Sequence, residues 1–459
     1  MKIPIILKTI SKELKTKNAK AIIVGGSVRD HFLELPIKDY DVEVYGLERL
    51  EELETILTQY GSVNLVGKSF GVLKFTYEGE EYDFSFPRTE EKVGVGHRGF
   101  NVEVNGALAY EEASKRRDFT INALGYEIES ELFLDPFGGL KDMEQKIVRH
   151  IDDDTFVEDP LRVYRAVQFC ARFGYTLADE TFTLCQKMVS NGMLEELPKE
   201  RVYLEWQKLL LKSPKPSIGF ELMRALGITE RYFPELHALI DVPQSPKWHP
   251  EGDVWIHTMM TVDEMAKLLC NDEKKNLKFM FAILCHDLGK ATHTSIEEDG
   301  RIRAIGHEKA GVEPTKSLLY RLTDEHNFIE SILPLVEHHL KPSQFYQGKA
   351  KKSAFRRLAT KVNIEELVVV AKADFLGRTT KASLEGIYHA GDWVLDRAKD
   401  LKVSKKPLEP LIQGRDLIAL GLEPSPKFKE ILELVYEKQL DGVLESKQGA
   451  MDFVKERCL

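Results

Sequence analysis

Cysteine is scarce in this chain: five in 459 residues, at 170, 185, 270, 285 and 458, an odd number with no C-x-x-C pair. That excludes a disulfide framework and points to a reduced, cytoplasmic setting in which the cysteines are small core residues. Long hydrophobic runs are missing too. FMFAILC (279–285) is far below the ~18–20 residues that span a bilayer and reads as a core helix, so no membrane association is expected. The opening MKIPIILKTISKELKTK lacks a small-residue cleavage site and a long enough apolar stretch for a secretory signal. Positive charge is not in excess either. Lys+Arg total 64 against Asp+Glu 74, a formal net charge of −10. This excludes gripping nucleic acid through a generally basic body, but not through a local basic face.

What is present changes character near residue 150. Before it, short β-rich runs dominate: AIIVG (21–25), YDVEVYG (40–46), GVLKFTY (71–77), YDFSF (82–86) and ALGYEI (123–128), separated by Gly and Pro turns. After it, apolar residues recur at helical spacing. The expected fold is an α+β head followed by an all-α remainder. LKSPKPS (211–217) reads as a helix break, and VPQSPKWHPEGD (242–253), with three prolines, as a domain linker. A further break, KVSKKPLEP (402–410), precedes a helical tail. The expected divisions are a head at 1–150, a helical neck and body at 151–245, a third domain at 246–395 and a tail at 396–459.

The head carries the first chemistry. A strand runs into Gly25-Gly26-Ser27, and a helix begins near Val28. Glycines let backbone N–H groups approach a phosphate, and Arg29 adds a fixed positive charge. Asp39 and Asp41 sit two apart, so an extended strand points both carboxylates to one face. Such a pair can bridge two Mg²⁺ ions that hold a triphosphate and activate a 3′-hydroxyl. Glu43 continues the row, which a plain solvated strand face would also do. Asp83, in EEYDFSF, is the candidate third carboxylate, with Glu80 and Glu81 as competitors.

In EDPLRVYR, Asp159 and Arg162 are three apart and are expected to be neighbours on one helical face. A carboxylate accepts from the exocyclic amine of cytosine or adenine while a guanidinium donates to the adjacent ring nitrogen. Uracil and guanine offer a carbonyl there instead, so one Asp/Arg pair can choose C and A.

Together G-G-S-V-R-D and D-Y-D resemble the DNA polymerase β-like nucleotidyltransferases. Four further blocks, RRDFTINAL (116–124), DPFGGLKDM (135–143), EDPLRVYRAVQF (158–169) and PKERVYLEW (198–206), follow in order. The sequence thus resembles the class II tRNA nucleotidyltransferases (CCA-adding enzymes), a group that also contains bacterial poly(A) polymerases. The resemblance implies a polymerase β-like mixed sheet and a nucleotide held by Gly25, Gly26, Arg29, Arg116, Arg117, Asp118 and Asn122. It also implies catalytic carboxylates Asp39, Asp41 and Asp83 and base selection by Asp159 and Arg162, with Arg165 reaching triphosphate or base. Gln168 stands where some relatives carry Arg and is left out of the site. The stretch between Asp83 and Arg116 would include the loop that switches the pocket from CTP to ATP.

The second half carries His257, His286-Asp287, His307, His338-His339 and Asp374 on separate expected helices. Imidazole and carboxylate at this density suit a divalent transition-metal cluster whose bound water attacks phosphate esters. Adjacent helical residues diverge by ~100°, so one of His338 and His339 is expected to face the metal. The order H…HD…H…H…D resembles the HD phosphohydrolases, which implies phosphatase and 2′,3′-cyclic phosphodiesterase activity.

GKAKKSAFRRLATK (348–361) offers Lys349, Lys351, Lys352, Arg356, Arg357 and Lys361 without an acid, a candidate RNA face. The tail's amphipathic helix is expected to pack on the body. The expected activity is 3′-CCA addition to tRNA from CTP and ATP, with tRNA bound at its acceptor arm and no obligate protein partner. Two alternatives stand beside it: an A-adding enzyme or poly(A) polymerase, and an HD phosphohydrolase with a non-catalytic RNA-binding head.

Overall fold

The computed structural model describes residues 1–66, 71–92 and 100–458. They divide into two compact units, Met1–Leu209 with Ile218–Ile228, and Leu210–Ser217 with Thr229–Leu459. The head is an α+β fold and the remainder is helical apart from two-residue strand pairs.

The strands of three or more residues in the first unit are β1 (Lys20–Val24), β2 (Tyr40–Tyr45), β3 (Ser62–Val66), β4 (Val72–Tyr77), β5 (Glu80–Ser85), β6 (Arg88–Lys92), β7 (Phe100–Val104), β8 (Gly125–Glu127) and β9 (Leu132–Leu134). Seven form one mixed sheet in the order β3-β4-β5-β2-β1-β8-β9, while β6 and β7 pair separately. β2 and β5 run parallel, with Asp41 opposite Asp83 in register; the other neighbours are antiparallel. β-branched and aromatic side chains such as Ile23, Val42, Val44, Phe75 and Phe84 are buried, which fixes which residues of each strand face the core.

The helix Leu161–Phe173 begins after Pro160 and ends at Gly174, whose φ of +66° closes it in the left-handed conformation. Asp159 therefore lies before this helix rather than on it. The helix Lys199–Lys212 follows, in the same unit as far as Leu209.

The second unit is organised around the helix Glu273–Cys285, in which Phe279 to Cys285 are all buried. A helix apolar all round belongs at the centre of a bundle. Three others pack on it: Val254–Ala266, His326–His338 and Ile364–Leu376. Asp253, Asp272 and Asn363 cap helix N-termini by accepting from the backbone N–H groups of Ile256, Lys275 and Glu366. The proline-rich segment 242–253 is part of this unit: Gln244 is buried and donates to the carbonyls of Gly252 and Asp253.

The tail has its own small core of Ile412, Leu417, Val435, Leu444, Ala450 and Val454. Its helix Lys427–Asp441 packs on the helix Lys352–Ala359 within the second unit. Among the described residues no helix is long and apolar enough to cross a membrane.

Candidate active sites

In the first unit a cleft of about 450 Å³ is lined by seven arginines against three aspartates. Gly25, Gly26, Arg29, Asp41, Arg116, Arg117, Asp118, Asn122, Asp159, Arg162 and Arg165 all line it. Gly25 has a φ of +71°, and a Cβ there would come within 2.9 Å of Arg117 Nη1. Only glycine serves at that turn without displacing the guanidinium.

The basic groups are held by carboxylates behind them. Glu43, 2% exposed, accepts from Arg116 Nη2 and Arg117 Nη2, both at 2.8 Å, and from the Tyr45 hydroxyl at 2.7 Å. The alternative of a plain solvated strand face does not hold at Glu43, which is buried and anchors two arginines. A second chain of contacts runs through the RRDFTINAL block. Arg29 Nη1 donates to Asn122 Oδ1 at 2.5 Å, Asn122 Nδ2 to Asp118 Oδ1 at 2.9 Å, and Arg165 Nε to Asp118 Oδ2 at 2.7 Å. Burial alone would raise the Asp118 carboxyl, but Arg165 and the Asn122 hydrogen bond hold it below its ordinary value. Arg29 and Arg165 both lie over the Phe169 ring, which the sequence reading had not singled out.

Asp39 stands exposed just before β2. Loss of hydration together with repulsion from Asp83, Asp39 and Glu43 raises the Asp41 carboxyl, against the pull of Arg117. Asp41 lines the cleft with Asp83 beside it in register, but Asp39 and Asp83 are not among the lining residues, and the three do not meet as a metal-holding group among the described residues. The register of Asp83 opposite Asp41 separates it from Glu80 and Glu81.

Asp159 and Arg162 are brought to the same cleft but do not form the expected i, i+3 pair. Asp159 Oδ1 accepts from Leu161 N at 3.2 Å, and its two oxygens meet Arg201 at 3.4 and 3.0 Å. Arg162 donates to the carbonyls of Thr155 and Arg116 at 2.7 and 2.6 Å. Pro160 starts the helix one residue too late for Asp159 to share its face, a signal that was available in the sequence. Arg201 is a site residue the sequence reading missed. Gln168 is buried and does not line the cleft. Residues 93–99, within the stretch expected to hold the switching loop, lie outside the described residues.

In the second unit each packed helix delivers one part of a buried cluster. His257 comes from Val254–Ala266, His286-Asp287 follow the central helix, His339 follows His326–His338, and Asp374 lies on Ile364–Leu376. His307 opens a short helix held close by Gly289, where a Cβ would overlap the His307 carbonyl oxygen. His286 and His307 place Nε2 3.2 Å from the two oxygens of Asp287, and His257 Nε2 lies 3.2 Å from Asp374 Oδ1. His339 Nε2 is 3.8 Å from Asp287 Oδ1.

The opposite nitrogens explain the orientation. Nδ1 of His286, His307 and His339 faces the carbonyl of Ile283, Ala304 and Val336 at 2.6, 2.6 and 2.7 Å. A carbonyl accepts only from N–H, so each Nε2 turns an unprotonated lone pair into the cluster. Asp287 Oδ1 and the Nε2 atoms of His286 and His307 are buried without hydrogen-bond partners, and Asp287 Oδ2 lies 2.7 Å from the Lys290 ammonium. Orphaned acceptors of this kind fit a metal ion.

Groups that can hold a metal are His257, His286 and Asp374; Asp287, His307 and His339; and His249, Glu251 and His257. His338, named as a possible ligand, is outside all three: it is buried, but points elsewhere because consecutive helical residues diverge. Burial, helped by the neighbouring histidines, pushes His339 down to about 3. Burial would raise Asp287 and Asp374, yet His286 with Lys290 and Arg378 respectively hold them well below the usual range.

Sequence reading also missed His249, Glu251, Lys290 and Arg378. Glu251 lies 2.8 Å from His257 Nδ1 and 2.9 Å from His249 Nδ1, Lys290 Nζ is 2.7 Å from Asp287, and Arg378 Nη2 is 2.8 Å from both Asp374 oxygens. His249 and Glu251 stand in the proline-rich segment 242–253 and Lys290 stands three residues after Asp287, so their nearness to His257 and Asp287 in the sequence was the available signal.

The basic stretch is engaged differently from the expected RNA face. Arg357 Nη2 pairs with Glu437 at 2.6 Å and Asp441 at 3.1 Å, and Arg356 donates to the Gln439 carbonyl at 3.2 Å. Both arginines therefore hold the tail helix. Lys349 lies over the rings of Tyr346 and Trp393, and Lys351 and Lys352 are exposed.

Three family profiles match in order: "Poly A polymerase head domain" over residues 21–149, "Probable RNA and SrmB- binding site of polymerase A" over 174–240, and "HD domain" over 254–378. Among curated relatives, the multifunctional CCA protein of Pasteurella multocida is 36% identical over 368 residues, 78% of this chain and 84% of that protein. The multifunctional CCA protein of Methylobacillus flagellatus is 39% identical over 328 residues, 71% of this chain and 75% of that protein. The fold is similar to that of the Bacillus stearothermophilus CCA-adding enzyme in complex with CTP, with a TM-score of 0.66, 21% identity and coverage of 100% of this chain and 99% of that one. It is also similar to the Thermotoga maritima CCA-adding enzyme complexed with tRNA_CCA, with a TM-score of 0.61, 20% identity and coverage of 100% and 97%.

Proposed function

The chain belongs to the multifunctional CCA protein family, and on that premise we propose that it adds or repairs the 3′-terminal CCA of tRNA from CTP and ATP. A second, phosphohydrolase activity is assigned to the HD unit. The observation that carries the reading is Asp41 in register with Asp83 beside an arginine-lined cleft that also contains Asp159 and Arg162. A non-catalytic head has no need of a carboxylate facing a cavity built for a polyanion with a second one beside it in register.

Asp39, Asp41 and Asp83 would hold Mg²⁺, which supplies neutralisation of the triphosphate and activation of the tRNA 3′-hydroxyl. Arg29, Arg116 and Arg117 bind the phosphates, with the glycine turn giving the backbone its close approach. The Asp159 carboxylate accepts from the amino group of cytosine or adenine, and Arg162 donates to the ring nitrogen beside it. Arg165 and Asn122 keep Asp118 ionised and in place.

At the second site His257, His286, Asp287, His307, His339 and Asp374 would hold a divalent transition metal, which supplies hydroxide near neutral pH for attack on phosphate esters, cyclic 2′,3′-phosphates among them. Lys349, Lys351 and Lys352 remain candidates for contact with the acceptor arm in a cytoplasmic enzyme, and few phosphate contacts are expected.

The test is extension of a tRNA ending at the discriminator base. Asp41→Ala is expected to lose on the order of 10³-fold or more in incorporation, since metal stabilisation of the transferring phosphate is worth several kcal/mol. Hydrolysis of 2′,3′-cyclic AMP should stay at the wild-type rate. An Asp41→Ala protein that still completes the tRNA overturns the carboxylate assignment.

A further inference from the structure

We propose that Arg201 is a positioning residue for base choice: it fixes the Asp159 carboxylate in the orientation that reads the exocyclic amine. The inference rests on the base-selection reading of Asp159 given above. Asp159 lies before the helix Leu161–Phe173, so the helix backbone does not hold its side chain as it would a residue within it. Three contacts do. Leu161 N–H donates to Oδ1 at 3.2 Å, and Arg201 reaches Oδ1 through Nη1 at 3.4 Å and Oδ2 through Nη2 at 3.0 Å.

A planar guanidinium facing both oxygens restricts rotation of the carboxylate in a way that a single ammonium cannot. Oδ1 already accepts from Leu161 N and Arg201 Nη1, whereas Oδ2 accepts from Arg201 Nη2 and keeps a lone pair for a ligand. Arg162, the residue that sequence spacing pairs with Asp159, instead donates to the Thr155 and Arg116 carbonyls. Asp159 is thus oriented from a second helix, 42 residues further along the chain. That helix, Lys199–Lys212, presents Glu205 one turn after Arg201, and Glu205 acts electrostatically on Arg165. Arg201 and Glu205 are four apart and share a face, so the same face steadies two cleft residues. Arg201 also lines the cleft, so its loss would open the space behind Asp159 to water.

The decisive quantity is discrimination, which a merely structural arginine would not move. Incorporation efficiencies (kcat/KM) for CTP, ATP, UTP and GTP are compared in wild type, Arg201→Met, Arg201→Lys and Asp159→Ala. Arg201→Met is expected to lower the CTP/UTP and ATP/GTP ratios by about tenfold or more, carried mainly in KM. Arg201→Lys, which keeps the charge without the fork, should fall between Met and wild type; it carries the test alone if the Met variant fails to fold. Ratios unchanged from wild type, or a loss equal for all four nucleotides, overturn the role of Arg201 while Asp159→Ala still relaxes discrimination. If Asp159→Ala itself discriminates like wild type, the base-selection reading fails, and the role of Arg201 fails with it.

Discussion

In the first unit the functional side chains are arginines around a half-open cleft, turned by carboxylates or carbonyls behind them; in the second they are buried imidazoles and carboxylates, of which Asp287, His307, His339 and Asp374 line a cavity of about 220 Å³. Glu43 holds Arg116 and Arg117, and Asp118 holds Arg165, so the positive charge offered to a triphosphate is preorganised by buried negative charge. The HD cluster solves the reverse problem. Its lone pairs must stay free, and backbone carbonyls take the Nδ1 protons of His286, His307 and His339. Anion sites thus need partners that keep charge in place, whereas metal sites need partners that keep protons away.

The largest expected effect separates the two centres. Asp287→Asn removes the carboxylate that faces His286, His307 and Lys290. Phosphohydrolase activity should fall by about 10³-fold or more and bound metal, measured by elemental analysis, should drop, while nucleotide addition is unchanged. Loss of both activities would contradict the independence of the centres.

Next in size is Glu43→Ala. It leaves Arg116 and Arg117 without their buried partner, and breaking such an arrangement costs about 3–5 kcal/mol. The first unit should melt earlier by calorimetry, with the phosphohydrolase transition unmoved.

A smaller effect distinguishes the units by pH. Burial lowers His339 to about 3 and His249 to about 4, so in chelator-treated protein the unfolded state binds those protons first. Their stabilising contribution is complete above the free-histidine value of about 6.5 and is lost as pH falls below it. His307, raised by Asp287, opposes this in part. In the first unit Glu43 and Asp118 are lowered instead, a contribution present above about pH 4–5 and lost only below it. Denaturant midpoints between pH 7 and 5 should therefore decline more for the second unit than for the first, where burial lowers His31; equal declines would contradict the contrast.

The sequence reading reached the sheet-bearing head, the helical remainder and most residues around both centres, because glycine turns, paired aspartates and HD spacing are local patterns. It failed where long-range pairing decides. Arg201 meets Asp159 across 42 residues, and Glu251 meets Thr379 across 128. Asp159 was placed on a helix because i, i+3 spacing was weighed above the helix-starting effect of Pro160. Arg356 and Arg357 were read as an RNA face because nothing local shows that Glu437 and Asp441 return to meet them. Strand β3 went unnoticed, since SVNLV is short and alternates weakly.

The central claim is template-free addition of C, C and A, and one measurement reaches it directly. A tRNA ending at its discriminator base is incubated with the wild-type protein and CTP alone, ATP alone, or both, and the products are resolved at single-nucleotide length. The account expects two added residues with CTP (about +2), none with ATP and three with both (about +3), from a pocket that accepts only bases bearing an amino group at the position Asp159 reads. A ladder of adenylates with ATP alone, or no extension in any arm, would contradict it.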